Sequence, residues 1–280
     1  MKKMYLLAFV AVTSLALISC QKDEKPDDNT GGGGDVYSSI TVPQTNTALV
    51  VKHSGTSCPP CGGWGWTAWD EIRATNTANA RFVTAFDDNF VAKLFINQVS
   101  EDWANGLALN SWPTFCANYK VQTAKSGSSI DVTKTKENVQ TAVNTHAGAP
   151  VLANAAFKAT VDGDLMKLNI KTKFFQAGDG EYYMAVYVVE DGVMGAQSGH
   201  ASYPNPVAHE FVLRDTYNPT GSLNPSYGTV ISSGAVAAGT EFKTEYTYRI
   251  EPTWNKDNIH TYVVIWKKVG TKFEFVNSSK

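Results

Sequence analysis

At Pro150 the hydrophobic rhythm of the chain changes. Beyond it, Phe157, Ala159 and Val161 alternate with Lys158 and Thr160. After Asp162-Gly163, a hairpin-turn pair, Met166, Leu168, Ile170 and Phe174 alternate with Lys167, Asn169, Lys171 and Lys173. A period of two places successive side chains on opposite faces of a strand, and Asp-Gly supplies the positive φ that a tight hairpin needs. Further strands are predicted at residues 182–189, 241–250, 260–267 and 272–277. No long helical pattern interrupts them, so residues 149–280 read as an all-β antiparallel sandwich.

Before Pro150 the pattern mixes periods. Apolar runs at 48–53 and 80–86 predict buried strands. A helix is expected over 58–74, with Trp66, Trp69 and Ile72 on one face, although Gly62, Gly63 and Gly65 weaken its first turn. Residues 131–147 predict a helix capped by Asp131 and ended by Gly148 and Pro150, with Val132, Val139, Val143 and His146 on one side. The spacing thus predicts an α/β domain over 40–148, with helical spacing and loop mixed over 88–109.

The formal net charge of −2 gives no electrostatic case for nucleic acid. The start of the chain is basic at Lys2 and Lys3, then apolar over 5–18. That run is shorter than the roughly 20 residues a bilayer span needs and has the form of a secretory signal. Leu17-Ile18-Ser19-Cys20 resembles the lipobox of bacterial lipoproteins. The resemblance implies a signal peptide at 1–19, cleavage before Cys20 and a lipid on that residue as membrane anchor. Lys22-Asp23-Glu24 is similar to the export signal that sends some lipoproteins to the outer face of the outer membrane; the periplasmic face is the alternative. Charges, Pro26 and Gly31 to Gly34 make residues 20–39 a flexible tether.

The remaining cysteines are Cys58, Cys61 and Cys116, too few for a disulfide-built scaffold. "HSGTSCPPC" puts Cys58 and Cys61 between a predicted strand and a predicted helix. A cysteine at a helix N-terminus has its thiolate favoured by unpaired backbone N–H groups, and the two-residue spacing lets the second sulfur resolve a mixed disulfide. A redox pair, a structural staple and a metal site are the three readings. The metal reading lacks a second cysteine pair or a histidine motif to complete four ligands, so no metal and no cofactor is expected. Cys116 reads as a small buried hydrophobe.

The strand before Ser57, Cys58-Pro59-Pro60-Cys61 and "SWPTF" at 111–115 resemble the thioredoxin fold. The resemblance implies a cis-proline at Pro113 beside the cysteine pair, and an oxidoreductase in which Cys58 attacks and Cys61 resolves. It covers residues 40–148 and implies a strand at 113–119 after the proline and, relative to a minimal thioredoxin, an insertion around 88–110. Two positions depart from it. Thioredoxins carry an acidic residue where this chain has Lys52, and a tryptophan where it has Ser57.

Trp64, flanked by Gly63 and Gly65, is a candidate for stacking on a sugar or peptide; a core role is the alternative. In the second half, His209 and Arg214 are candidates for a polar site with Glu190, against a bland reading as a strand with buried polar pairing. "HEFVLR" at 209–214, "YMAVYVVEDG" at 183–192, Gln197 and the closing "FEFVNSS" resemble the twenty-eight-kilodalton outer-membrane lipoprotein family. That family joins a lipobox, a thioredoxin-like domain and an immunoglobulin-like sandwich, and is described as a surface antigen or adhesin. The expectation is therefore a lipid-anchored surface lipoprotein that binds a protein or glycan ligand, partly through loops 195–206 and 217–227. A thiol-disulfide oxidoreductase with a protein thiol partner is the alternative.

Overall fold

The computed structural model describes residues 35–87, 95, 97–217 and 225–280. The signal segment, Cys20 and most of the tether lie outside the described residues, as do 88–94 and 96 of the expected insertion and 218–224 of the loop expected to bind. The described residues begin at Asp35, before the tether's expected end at residue 39. Asp35 caps a short turn at Val36–Ser39 and pairs with Lys243 at 2.6 Å.

β1 (Ala48–Ser54) and β2 (Ala80–Phe86) lie parallel and are buried nearly throughout. Parallel neighbours need a crossover, supplied by α1 (Pro59–Gly62) and α2 (Trp64–Asn76). α3 (Gln98–Gly106) follows, capped by Asn97. β3 (Thr114–Ala117) runs antiparallel to the other edge of β1 and turns through Asn118 and Tyr119 into β4 (Lys120–Val121). A small hairpin, β5 (Ala124–Ser126) and β6 (Ser129–Asp131), leads into α4 (Val132–Gly148). Asp131 caps α4 by accepting from the Lys134 N–H at 2.8 Å. Val139 and Val143 face the core as the spacing predicts, joined by Thr135, while Val132 and His146 are half-buried.

Past Pro150, β7 (Ala153–Asp162) and β8 (Leu165–Phe174) form the hairpin predicted at Gly163, whose φ is +62°. The chain continues as β9 (Glu181–Glu190), β10 (Val193–Ala196), β11 (Pro206–His209) and β12 (Val212–Tyr217). β13 (Thr229–Ser232), β14 (Glu241–Arg249), β15 (Ile259–Val269) and β16 (Lys272–Ser279) complete it. β7, β8 and β14 make a three-stranded antiparallel sheet, and β10 pairs with β11.

The other strands of the second half join the sheet of the first. Its order is β16-β15-β9-β12-β2-β1-β3-β4, with β13 also on β9, so the chain is mostly β with one large mixed sheet. The splice is β12, where Val212 lies parallel to Thr84. The Thr84 N–H donates to the Phe211 carbonyl at 2.6 Å and its hydroxyl to the Glu210 carbonyl at 2.9 Å. Residue 149 thus marks the change from helix to strand, while the sheet passes across it and residues 35–280 form one compact unit.

The large sheet curls around one interior. Leu49, Val83, Cys116, Leu213, Val264 and Phe273, from strands at both of its ends, pack with Trp103 of α3 in a single cluster. On the outer face, Trp69 and Ile72 of α2 and Val139 of α4 cover Val50, Phe82 and Phe115. The three-stranded sheet covers β9 and β15, with Leu168 and Ile170 against Met184, Val186 and Val263. Asn277 of β16 ties the layers together. It accepts from the Thr47 N–H at 2.8 Å and donates to the Thr45 and Ala153 carbonyls, each at 2.9 Å.

Candidate functional site

The C-terminal end of β1 delivers the chain to the cysteine loop. Cys58 and Cys61 form a disulfide, with Cα atoms 5.3 Å apart. Cys58 is the N-cap of α1, and Pro59 and Pro60 fill the first two helical positions, where no intrahelical N–H bond is lost. The Trp112–Pro113 peptide bond is cis. Pro113 packs on α2 at Gly65, where a Cβ would fall 2.5 Å from the proline Cγ. The glycine that weakens the helix by propensity is therefore required by this contact. The Trp112 carbonyl oxygen lies 3.7 Å from Cys58 Sγ. The Trp112 indole N–H donates to Asp87 Oδ2 at 2.5 Å, and His53 Nδ1 lies 3.3 Å from the same oxygen. His53 and Asp87 are both buried.

Lys52 is buried with its ammonium between the rings of Trp66 and Trp69, 5.2 and 5.4 Å from their centroids. Loss of hydration pulls its pKa down to about 7, and the Arg73 charge adds in the same direction against Asp70. The two rings supply part of the solvation the ammonium has lost.

The hairpin of β10 and β11 reaches from the second half onto the cysteine loop. Gln197 at its tip is buried, and its amide donates among the carbonyls of Gly55 (3.1 Å), Thr56 (3.3 Å) and Cys58 (3.3 Å). The Ser198 N–H donates to the Thr56 carbonyl at 2.8 Å. The two backbones meet at a pair of glycines. A Cβ on Gly62 would lie 2.2 Å from the Ser198 oxygen, and one on Gly199 would lie 2.0 Å from the Pro59 oxygen. His200 meets the Trp66 ring edge-on at 4.7 Å.

The structure brings some of the sequence candidates together and separates others. Arg214 Nε lies 2.9 Å from Glu190 Oε2, and the other Glu190 oxygen accepts from the Asn255 N–H at 2.7 Å. His209 is elsewhere, among the rings of Trp66, Phe86 and Phe95, with Nε2 3.2 Å from the Gly195 carbonyl. Burial pulls its pKa down to about 4, with the Lys52 charge adding. Trp64 is half-buried against Phe115. Asp87 has no distinguishing motif; only its place one residue past a predicted strand points to it.

A second concavity lies between the free edges of the curled sheet. It is a cleft of about 720 Å³ lined by Asp102, Asn105, Tyr119, Lys120, Tyr227 and Phe273, among others. The Tyr227 and Phe273 rings stack at 3.9 Å, and the Tyr119 and Tyr227 hydroxyls are 2.5 Å apart. Burial raises the pKa of both phenols. Tyr187 fixes this wall from inside, donating to the Ser226 carbonyl at 2.6 Å. Among the described lining residues, Pro225, Ser226 and Tyr227 belong to the 217–227 loop that the sequence marks for binding.

Among solved structures the chain is similar to HBP35 of Porphyromonas gingivalis, with a TM-score of 0.64 at 11% identity over 85% of this chain and 76% of that one. At this identity the likeness is one of fold, and it extends across both halves. A domain of the outer membrane lipoprotein Omp28 from the same organism gives 0.25 at 17% identity, over 45% of this chain and 89% of that domain. The E. coli curli protein CsgC gives 0.21 at 11% identity, over 45% and 95%. The latter two likenesses are too slight to carry weight. No family model matches the chain, and no curated protein does.

Proposed function

We propose that this chain is an outer-membrane lipoprotein, anchored by lipid on Cys20 and displayed at the cell surface, whose folded part binds an external protein or glycan. Its first half is a thioredoxin-like scaffold and its second an immunoglobulin-like sandwich, fused through one sheet. The order β1, α2, β2, then β3 opening directly after Pro113, then α4 supports the first assignment. The facing of the three-stranded sheet on β9 and β15 supports the second. The observation that carries the binding reading is the cleft beside Tyr119, Tyr227 and Phe273. Aromatic rings beside carboxylate, amide and ammonium groups suit a ligand with both apolar faces and hydroxyls or amides. Screening the folded protein against arrays of oligosaccharides and peptides, with Tyr227→Ala as control, tests it. Binding that survives Tyr227→Ala places the ligand elsewhere. Palmitate labelling that persists in Cys20→Ala removes the anchor.

A second reading, thiol-disulfide exchange by Cys58 and Cys61, is favoured by one contact: Pro113 seated on Gly65, with the Trp112 carbonyl beside Cys58. A reduction potential of roughly −120 to −270 mV supports exchange, and one below about −300 mV marks a staple.

A further inference from the structure

The loop at the tip of the β10–β11 hairpin, expected to help bind a ligand, does not line the aromatic cleft, yet it makes the tightest backbone approach in the cysteine site. Cys58 is 4% exposed and Cys61 fully buried. The hairpin grips the loop that holds them from both ends. Gln197 bonds the residues leading into Cys58, while Ser198 and Gly199 press on Pro59 and Gly62 of α1. Beyond this grip the tip stands out into solvent, with Tyr203 57% exposed next to the cis peptide bond at Pro204.

We infer that this hairpin is a strap that determines which reductants reach the Cys58–Cys61 disulfide, with Gln197 as the positioning residue that holds it down. It admits a small reductant and excludes the docking of a protein-sized dithiol. The inference rests on the second reading only in taking the disulfide to be exchangeable; it requires no turnover.

Docking matters because exchange with a protein dithiol is stepwise. One partner thiolate attacks Cys58 Sγ, the bond to Cys61 breaks, and Cys61 leaves as a thiolate. The partner's second thiolate then attacks the mixed disulfide and releases Cys58. Two electrons pass to Cys58 and Cys61, the partner ends as a disulfide, and the protons its thiols lost are taken up by the two new thiolates. Each attack is in line with the bond that breaks, so the partner's backbone must lie against the cysteine loop. A phosphine needs only a path for itself. The strap therefore acts on the ratio of the two rates.

The experiment uses the folded protein, with tris(carboxyethyl)phosphine and reduced thioredoxin as the two probes and thiol trapping as the readout. In the wild type, the rate with thioredoxin is expected to be far below the rate with phosphine. Gln197→Ala removes the hydrogen bonds that hold the strap, and losing about 1.4 kcal/mol of them corresponds to about a tenfold shift in strap opening. The thioredoxin rate is expected to rise by at least that factor while the phosphine rate stays within about twofold. Gly199→Ala, which forces the Pro59 carbonyl and the strap apart, should act the same way and covers the case in which Gln197→Ala misfolds. A rise of both rates in the same proportion reports general loosening and overturns the inference. So does a thioredoxin rate that stays at the wild-type level in both variants, because something other than the strap then excludes the protein. The reduction potential is read separately: a value in the staple range sinks the exchange reading, whereas the strap stands or falls on the ratio of the two rates.

Discussion

Pro113 and Gly65 occupy one another's space: the proline ring sits where any side chain at Gly65 would begin, 2.5 Å from that Cβ position. This contact, more than the cysteines, fixes where the loop before β3 lies relative to α2. Gly65→Ala must push either the proline or the helix aside. It is expected to cost about 1–3 kcal/mol, the usual cost of overpacking, although alanine is the better helix former. Urea unfolding measures it; an unchanged or raised midpoint would mean that the helix propensity gain outweighs the contact.

Lys52 gives a stability that depends on pH in an unusual direction. Its folded pKa, about 7, is below its ordinary value of 10.5. The unfolded chain therefore binds the proton more readily. The folded state is unpenalised above 10.5, loses stability as pH falls from 10.5 to 7, and carries a constant penalty below that. The slope is at most about 1.4 kcal/mol per pH unit. Lys52→Met keeps the volume and removes the charge, so it should be more stable than the wild type at pH 7, with the gap narrowing by pH 9. Equal pH slopes for the two proteins would show that the tryptophan cage compensates the ammonium fully.

His209 works in the acid range. Its folded pKa, about 4, is below its ordinary value of 6.5, so its stability contribution is intact above 6.5 and is lost as pH falls towards 4. About 3 kcal/mol is at stake. In His209→Gln the acid limb of a stability profile between pH 6.5 and 4 should be shallower than in the wild type. Unchanged steepness would point to other groups as the acid-sensitive ones.

Arg214, half-buried, pairs with the buried Glu190 carboxylate. Arg214→Ala leaves the Glu190 carboxylate without its cation and is expected to cost about 3–5 kcal/mol. Adding Glu190→Gln keeps an acceptor for the Asn255 N–H and removes the stranded charge, so the double variant should recover much of that loss. A double-mutant cycle with no coupling would show that the pair contributes little beyond packing.

Most of the secondary structure is legible in the sequence because it is periodic. β1, β2, α4 and the long strands β7, β8, β9, β14, β15 and β16 each carry enough alternation or unbroken apolar length to identify them. The short strands do not. β12 spans residues 212–217, and its partner in the first half lies far away in sequence, so no local pattern reveals that one sheet crosses residue 149. The strap is equally hidden. Gly62 and Gly199 look like loop residues until two backbones meet there. His209 shows the limit of reading chemistry from residue type: a histidine beside a glutamate and near an arginine suggests a polar site, and the register of β11 sends it among aromatic rings instead. The cis-proline follows from the thioredoxin resemblance, and the cysteine spacing alone leaves the pair open between redox, staple and metal readings; the structure forms the disulfide.

The splice of β12 onto β2 also sets a timetable. A chain made from its N-terminus presents β2 with its outer edge bare, and the strand that covers that edge arrives only about halfway through the second half. Until then the first half exposes a ready template for pairing with another chain. Contacts this distant in sequence also close late and slowly. The molecule thus spends its most vulnerable interval between the emergence of Phe86 and that of Val212, and any factor that binds the incomplete chain has that edge to shield.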